Sequence, residues 1–406
     1  MKNLLVSAYA CEPLKGSEQA VGWNFVIQLA KHNQVHVITR ANNQEPISKN
    51  IPKEIASNIH FHYYDTPSFF RRFKNKSKGI YFYYILWQIG IIKVILNLKR
   101  QNKFNASIHL TFGNVWLPTF LPFINIPFIY GPLGGGESIP NSFISGLNFQ
   151  QKLMQILRII LRYTTYINPL FLYTAYKAKF IICRTKDTQK LFPCFFQKKT
   201  RTLSDGAIEK EIFKYHALNL ESNNLTIIST SRLIGFKNVI TLVKALQYIN
   251  IDINYKCVII GSGPERKRIK EESKLLQLDK HIIYKENLTR DEVLKDLEGA
   301  SIFVSPSLRD ACNLSLLEAM AIGLPVICLN WSGMAISTDD NCAIRLPVTN
   351  PEQMPKDMAE AIIKLAKNPG LRKQMGENGR KRIQTVFNWE AKGKFMENLL
   401  AELDKK

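Results

Sequence analysis

Short apolar runs separated by amphipathic stretches recur along the whole chain. Residues 4–7, 35–39 and 106–110 in the first half read as short strands, and 225–231, 255–260, 302–305 and 326–329 repeat this in the second. Such runs suit the interior of parallel sheets. Between them lie helix-period stretches at 21–31, at 239–248, and from near Asn313 or Ser315 to Gly323. Gly323 fits a left-handed cap and Pro325 cannot continue the turn. The alternation predicts α/β architecture with doubly wound sheets. At 406 residues the chain exceeds one hydrophobic core, and its 46% hydrophobic content is ordinary for a soluble α/β protein.

Candidate chemistry collects at the ends of these runs. Residues 301–330, SIFVSPSLRDACNLSLLEAMAIGLPVICLN, read as strand, loop, helix, strand, with Asp310 on the loop and Glu318 on the helix. The unpaired amides of a helix start at Asn313, Leu314 and Ser315 would face an anionic ligand beyond the strand ends. Ser315 and Glu318 also have the spacing of a capping box, a purely structural use of that Glu. Arg232 and Lys237 follow the run 225–231 directly. The run 255–260 ends in Gly261-Ser262-Gly263-Pro264-Glu265, which either lets backbone approach a ligand or makes a tight turn. The loop CEPLKGSEQA after the first run holds Gly16, Ser17 and Glu18; as a simple loop it needs no function. His109 ends another run, where a satisfied core histidine is the alternative. Gly134, Gly135, Gly136 and Glu137 form a loop that offers backbone amides or serves as a hinge.

The first acid, seven intervening positions, and then Glu318-Ala-Met-Ala-x-Gly-x-Pro-Val resemble the signature of family 4 retaining glycosyltransferases. The other motifs lie in that family's order. The resemblance implies a GT-B fold, two Rossmann-like domains facing each other across a cleft. It implies that Asp310 contacts donor-sugar hydroxyls, that the helix start meets the donor diphosphate, and that Glu318 binds the ribose. It places Arg232 and Lys237 on the diphosphate, and Gly261 and Gly263 near the nucleotide. Gly16, Ser17 and His109 fall in the cleft, and the Gly134–Glu137 loop lines it. Preorganised cations are suited to this chemistry because the departing nucleoside diphosphate gains negative charge as the glycosidic bond breaks. Two departures stand out. Asp310 replaces the usual Glu, and Lys285 and Glu286 replace an apolar residue and Gly at the base-binding edge.

On this reading residues 1–205 form an acceptor-binding domain, 206–222 a linker, 223–387 a nucleotide-sugar-binding domain, and 388–406 a helix crossing back to the first. Charge is uneven: the first 205 residues carry +18 of the net +22. That excess points to a polyanionic partner, an anionic membrane surface or an acidic acceptor. RRFKNKSKGIYFYYILWQIGIIKVILNLKR and QKLMQILRIILRYTTY combine basic residues with apolar runs and read as interfacial. Within the former, 80–98 has only Lys93 charged, so a spanning or a buried helix are alternatives. The N-terminal apolar run is too short for a signal peptide. Seven cysteines without metal-type spacing fit a reducing compartment.

The expectation is a metal-independent retaining transferase, peripheral on the cytoplasmic membrane face. It would move sugar from a nucleotide-sugar substrate, UDP-linked by preference, to a lipid-linked or surface glycan, with no cofactor. An epimerase on the same fold, or a silent lipid- or glycan-binding scaffold, are the competing readings. Nucleic acid is disfavoured because the basic residues interleave with aliphatic runs and no recognised motif appears.

Overall fold

The computed structural model describes residues 1–16, 18–67, 69, 79–147, 149–249 and 252–404. Residues 71–78 of the basic stretch, and Ser17, lie outside them. The chain forms two compact units: Met1–Gly136, Ile159–Asp205 and Trp389–Lys406 in the first, Glu137–Arg158 and Gly206–Asn388 in the second.

The first unit is built on seven parallel strands, β1 (Asn3–Ser7), β2 (Gln34–Thr39), β3 (Ile59–Tyr63), β4 (Ala106–His109), β5 (Phe128–Leu133), β6 (Ala178–Cys183) and β7 (Thr200–Thr202), in the order β3-β2-β1-β4-β5-β6-β7. The central strands are buried on both faces, which is why they read as unbroken apolar runs. One face is covered by the helices Glu18–Ala30 and Trp389–Leu403. Phe25 meets Trp389 edge-on at 5.6 Å, and Asn33 donates to Glu397 at 2.8 Å. The other face is covered by the helix Ile80–Gln101. By length and composition this helix could cross a membrane. One face packs on the sheet, with Tyr83, Tyr84, Trp87, Ile91, Ile95 and Leu98 in one buried stripe, while Tyr81, Phe82, Ile89 and Leu96 are exposed. Trp87 and Tyr84 pack edge-on against Tyr9, at 5.2 and 5.3 Å.

The second unit repeats the winding with six parallel strands, β8 (Leu225–Thr230), β9 (Tyr255–Ile260), β10 (Ile282–Lys285), β11 (Ile302–Ser305), β12 (Val326–Leu329) and β13 (Ala343–Leu346), ordered β10-β9-β8-β11-β12-β13. In both sheets the strand order reverses beside the first strand. The loops leaving the two strands at that reversal, here after β8 and β11, are where an open parallel sheet offers a crevice to ligands.

The units differ from a cut at residue 205 followed by a linker. Glu137–Arg158 belongs to the second unit, because Ile139, Phe143 and Leu147 enter its core and Trp331 donates its indole N–H to Ser138 O at 2.9 Å. Residues 206–222 are part of that core too. Ile208, Ile212 and Tyr215 are buried. Arg380 donates to the carbonyls of Phe213 and Tyr215, and the fully buried Arg372 donates to those of Leu220 and Ser222.

Candidate functional site

In the second unit, the loops after β8 and β11 are tied to each other by backbone. Leu308 N donates to Phe236 O at 2.8 Å, and Ser307 Oγ is shared between Phe236 O and Arg309 O. This brings Lys237 onto Asp310, Nζ to Oδ2 at 2.5 Å, with both side chains largely buried. Burial raises the Asp310 pKa, and Lys237, Ser307 and Arg232 pull it partly back. The Asp310 carbonyl is fixed separately by Gly333 N at 2.8 Å and Ser332 Oγ at 2.9 Å, so the loop is held at both ends of the residue.

Three guanidinium groups share this corner. Arg309 stacks over Phe236 with its Cζ 4.1 Å from the ring centre. Its pKa is pushed down to about 10, first by burial and then by Arg158, with Arg232 adding to the repulsion while Glu137 and Asp310 oppose it. Four cations, Arg158, Arg232, Lys237 and Arg309, thus face two carboxylates. Burial is the main cause of that depression, and the neighbouring cations make the corner rich in donors for an anion. Arg232 is exposed, with no ion-pair partner among the described residues.

The helix Leu314–Ile322 opens onto the same loop. Its cap is Asn313, not Ser315. The Asn313 side chain accepts from Leu316 N at 3.3 Å and donates to Ser305 Oγ at 2.8 Å, which locks it. The Leu314 and Ser315 amides have no hydrogen bond among the described residues, leaving two donors at the positive end of the helix. Gly323 closes the helix at φ 98°.

Glu318 is not in a capping box. It accepts from Arg290 Nε at 3.1 Å, and Arg290 also holds Glu209 at 2.9 Å. Burial raises the Glu318 pKa, Arg290 lowers it and Glu209 raises it. A buried carboxylate with one lateral partner retains acceptor capacity for a diol. At the edge of the sheet, Lys285 pairs with Asp296 and Glu286 with Arg266, so both departures from the family pattern are ion-paired.

Gly261 and Gly263 have a packing reason of their own. A Cβ on Gly261 would lie 1.8 Å from Ser231 O, one on Gly263 would lie 2.3 Å from Leu233 O, and both adopt positive φ. They let the turn press on the backbone that carries Arg232. Gly261→Ala is therefore expected to cost about 2 kcal/mol or more of stability. At Gly16 a Cβ would meet nothing within 4 Å. Gly16→Ala is expected to stay within about 0.5 kcal/mol, and urea unfolding of the two variants checks both.

The remaining predicted residues belong to the first unit, except Glu137. His109 is 1% exposed. Burial holds its pKa down to about 4, so the ring is neutral, and its Nδ1 has no hydrogen-bond partner. Glu18 accepts from Phe112 N at 2.6 Å and from Arg184 at 3.3 Å, tying the Gly16 loop to the loop after β4. Gly134 donates to Gly113 O at 2.7 Å and Gly136 to Thr188 Oγ1 at 3.1 Å, so the glycine run is packed against neighbouring backbone. Glu137 clusters with the second unit and is buried beside Arg309. Arg309 and Arg158 are additions to the sequence reading. Arg309 adjoins Asp310 and was legible as a second charge on that loop, whereas Arg158 lies in a helix whose pattern points elsewhere.

Residues 211–382 match the family model of glycosyl transferases group 1. The match covers the loops of Arg232, Lys237, Asp310 and Glu318 together. The capsular polysaccharide biosynthesis glycosyltransferase CapM of Staphylococcus aureus is 29% identical over 183 residues, 44% of this chain and 46% of that protein. The chain spans less than half the length of the first curated relatives it matches. Among solved structures, a glycosyltransferase from Rickettsia africae superposes with a TM-score of 0.64 at 16% identity, covering 100% of this chain and 99% of that one. Anabaena Alr3699/HepE in complex with UDP gives 0.61 at 13%, over 99% and 100%. The fold is GT-B, with two Rossmann-like units.

Proposed function

We propose that the chain is a retaining glycosyltransferase that moves a sugar from a UDP-linked donor to a lipid-linked or surface glycan at the cytoplasmic membrane face. The observation that carries this is the cluster of Arg158, Arg232, Lys237 and Arg309 beside the open amides of Leu314 and Ser315. Those cations and amides are donors suited to a diphosphate, and the group 1 match over the same loops supports a sugar nucleotide as its bearer.

In this reading the cations and amides stabilise the leaving diphosphate most as the glycosidic bond breaks. Asp310, freed from Lys237 as that lysine turns to phosphate, accepts from the sugar hydroxyls. Glu318 holds the ribose. His109, neutral and carrying an unpaired nitrogen, positions the reacting sugar from the first unit, to which the acceptor is assigned. The cations take the charge role a metal plays elsewhere, so turnover is expected to survive a chelator.

The experiment is nucleoside diphosphate release from each common nucleotide sugar, with and without a membrane lipid extract. Release requiring one donor together with lipid is the expected result. Conversion of donor without acceptor would favour an epimerase. UDP at about a hundred times its Kd should add about 2.7 kcal/mol to stability. Absence of both release and any thermal shift by UDP, GDP or ADP would overturn the transferase reading in favour of a scaffold.

A further inference from the structure

The helix Phe149–Thr164 is mounted inside out. Phe149, Leu153, Ile156, Ile160 and Tyr163 fall at i, i+4, i+7, i+11 and i+14, one stripe by helix geometry. In a surface helix of a soluble protein that stripe faces the core. Here every one of the five is exposed, between 52% and 80%. The polar face is the one turned inward. Gln155 is the helix's buried residue and accepts from Arg309 at 3.5 Å. Gln151 donates to Glu265 at 3.5 Å, and Arg158 to Glu137 O at 3.4 Å. Polar contacts thus lie on the inner face, and the apolar stripe is left outward.

Charge says what covers it. No acidic residue occurs between Glu137 and Asp187, while seven basic ones do; Lys152 and Arg162 lie on this helix, as does Arg158, which is turned inward to Glu137 O. Beyond its end, Tyr166 and Ile167 are also exposed. A contiguous apolar stripe with basic neighbours and aromatic rings at one end is the pattern of a helix lying in a lipid interface. Two copies of this chain pairing through the stripe would bring like charges together, whereas acidic headgroups neutralise them.

We propose that the outward stripe of the Phe149–Thr164 helix docks this protein on an anionic lipid bilayer. The proposal deepens the membrane-face reading above and rests on it for the location of the acceptor. It also moves the membrane contact away from Ile80–Gln101, whose best apolar stripe is spent on the first sheet. Because the polar face of the docking helix holds Arg309 and Glu265, the donor loops are fastened to the lipid-bound element directly.

The test is flotation of the full chain with vesicles of phosphatidylcholine alone or mixed with phosphatidylglycerol. The wild type should float with the mixed vesicles, weaken with added salt, and stay behind with phosphatidylcholine alone. The variant Leu153→Gln/Ile156→Gln/Ile160→Gln should lose about tenfold or more in partitioning, with its UDP thermal shift retained. Ile89→Gln/Leu96→Gln, on the exposed side of Ile80–Gln101, should float like wild type. Should the triple variant fold poorly, Phe149→Glu alone sets an acid against the headgroups and should show the same loss. Equal flotation of wild type and the stripe variants would overturn the proposal. So would a wild type that ignores anionic vesicles, or one that forms dimers in solution which the triple variant abolishes. Since docking is read without donor or acceptor, its failure is separable from failure of the transferase reading, which the UDP shift reports.

Discussion

Lys237→Ala should lower kcat for sugar transfer by about 10²–10³-fold, the usual effect of removing one preorganised donor from a developing anion. Two changes act together. On the proposed reading the leaving diphosphate loses a cation, and Asp310 loses its ion-pair partner inside a largely buried corner. The second change has a signature of its own. Burial already raises the Asp310 pKa, and Lys237 is the main influence pulling it back. Without Lys237 it should rise further. The folded state then keeps a proton that the unfolded chain has released, so stability falls as pH rises from the ordinary carboxylate value of 3.8 through the raised one. Unfolding midpoints across that range should therefore decline more steeply in the variant than in the wild type. Lys237→Arg should restore the stability profile better than turnover, since a planar fork replaces a point charge. Unchanged kcat in Lys237→Ala would remove the residue from the site.

Arg372→Met should destabilise the second unit by about 4 kcal/mol or more, the range reached when a buried charged network loses its donor. The guanidinium is fully buried and donates to four carbonyls, those of Leu220, Ser222, Leu365 and Ala366, at 2.6–2.9 Å. Burial lowers its pKa, and no carboxylate pairs with it among the described residues. All four carbonyls would lose this donor, three of them in partly buried surroundings. The neighbouring Lys373, whose partner Glu221 is exposed, should tolerate alanine with little change in the melting curve. Equal melting of the two variants would show that residues 220–222 are held by something other than Arg372.

That clamp explains part of what a linear reading misses. ALNLESNN is polar, and polarity is what a tether and a clamped surface segment have in common. The partner that separates them, Arg372, lies about 150 residues downstream. The strands were plain because burial on both faces leaves an apolar run whatever the neighbours. The pairing of Lys237 with Asp310 follows from two motifs at the sheet's reversal, but the role of Asn313 as the cap depended on which of two nearby polar residues reached Leu316 N. The capping-box spacing with Ser315, the structural alternative to a ribose role for Glu318, is not used; Arg290, from another helix, pairs with that Glu. Amphipathicity at 149–164 was visible as a pattern. Which face would be covered was not, since that is decided by Arg309 and Glu265 on distant loops.

The interleaved course of the chain has a consequence for synthesis. Ser138 and Ser142 bond to Trp331 and Thr349, 193 and 207 residues further on. At about 5–20 residues per second, a ribosome needs roughly 10–40 s to supply those partners. The first unit waits longer still, because its covering helix begins at Trp389. The strands of the first sheet are all made by Thr202, yet one of its faces stays without the helix Trp389–Leu403 until the last stretch of chain emerges. Until Glu265 and Arg309 emerge, Gln151 and Gln155 of the basic, apolar helix lack those partners, so a lipid surface or a chaperone can meet it before its own loops do.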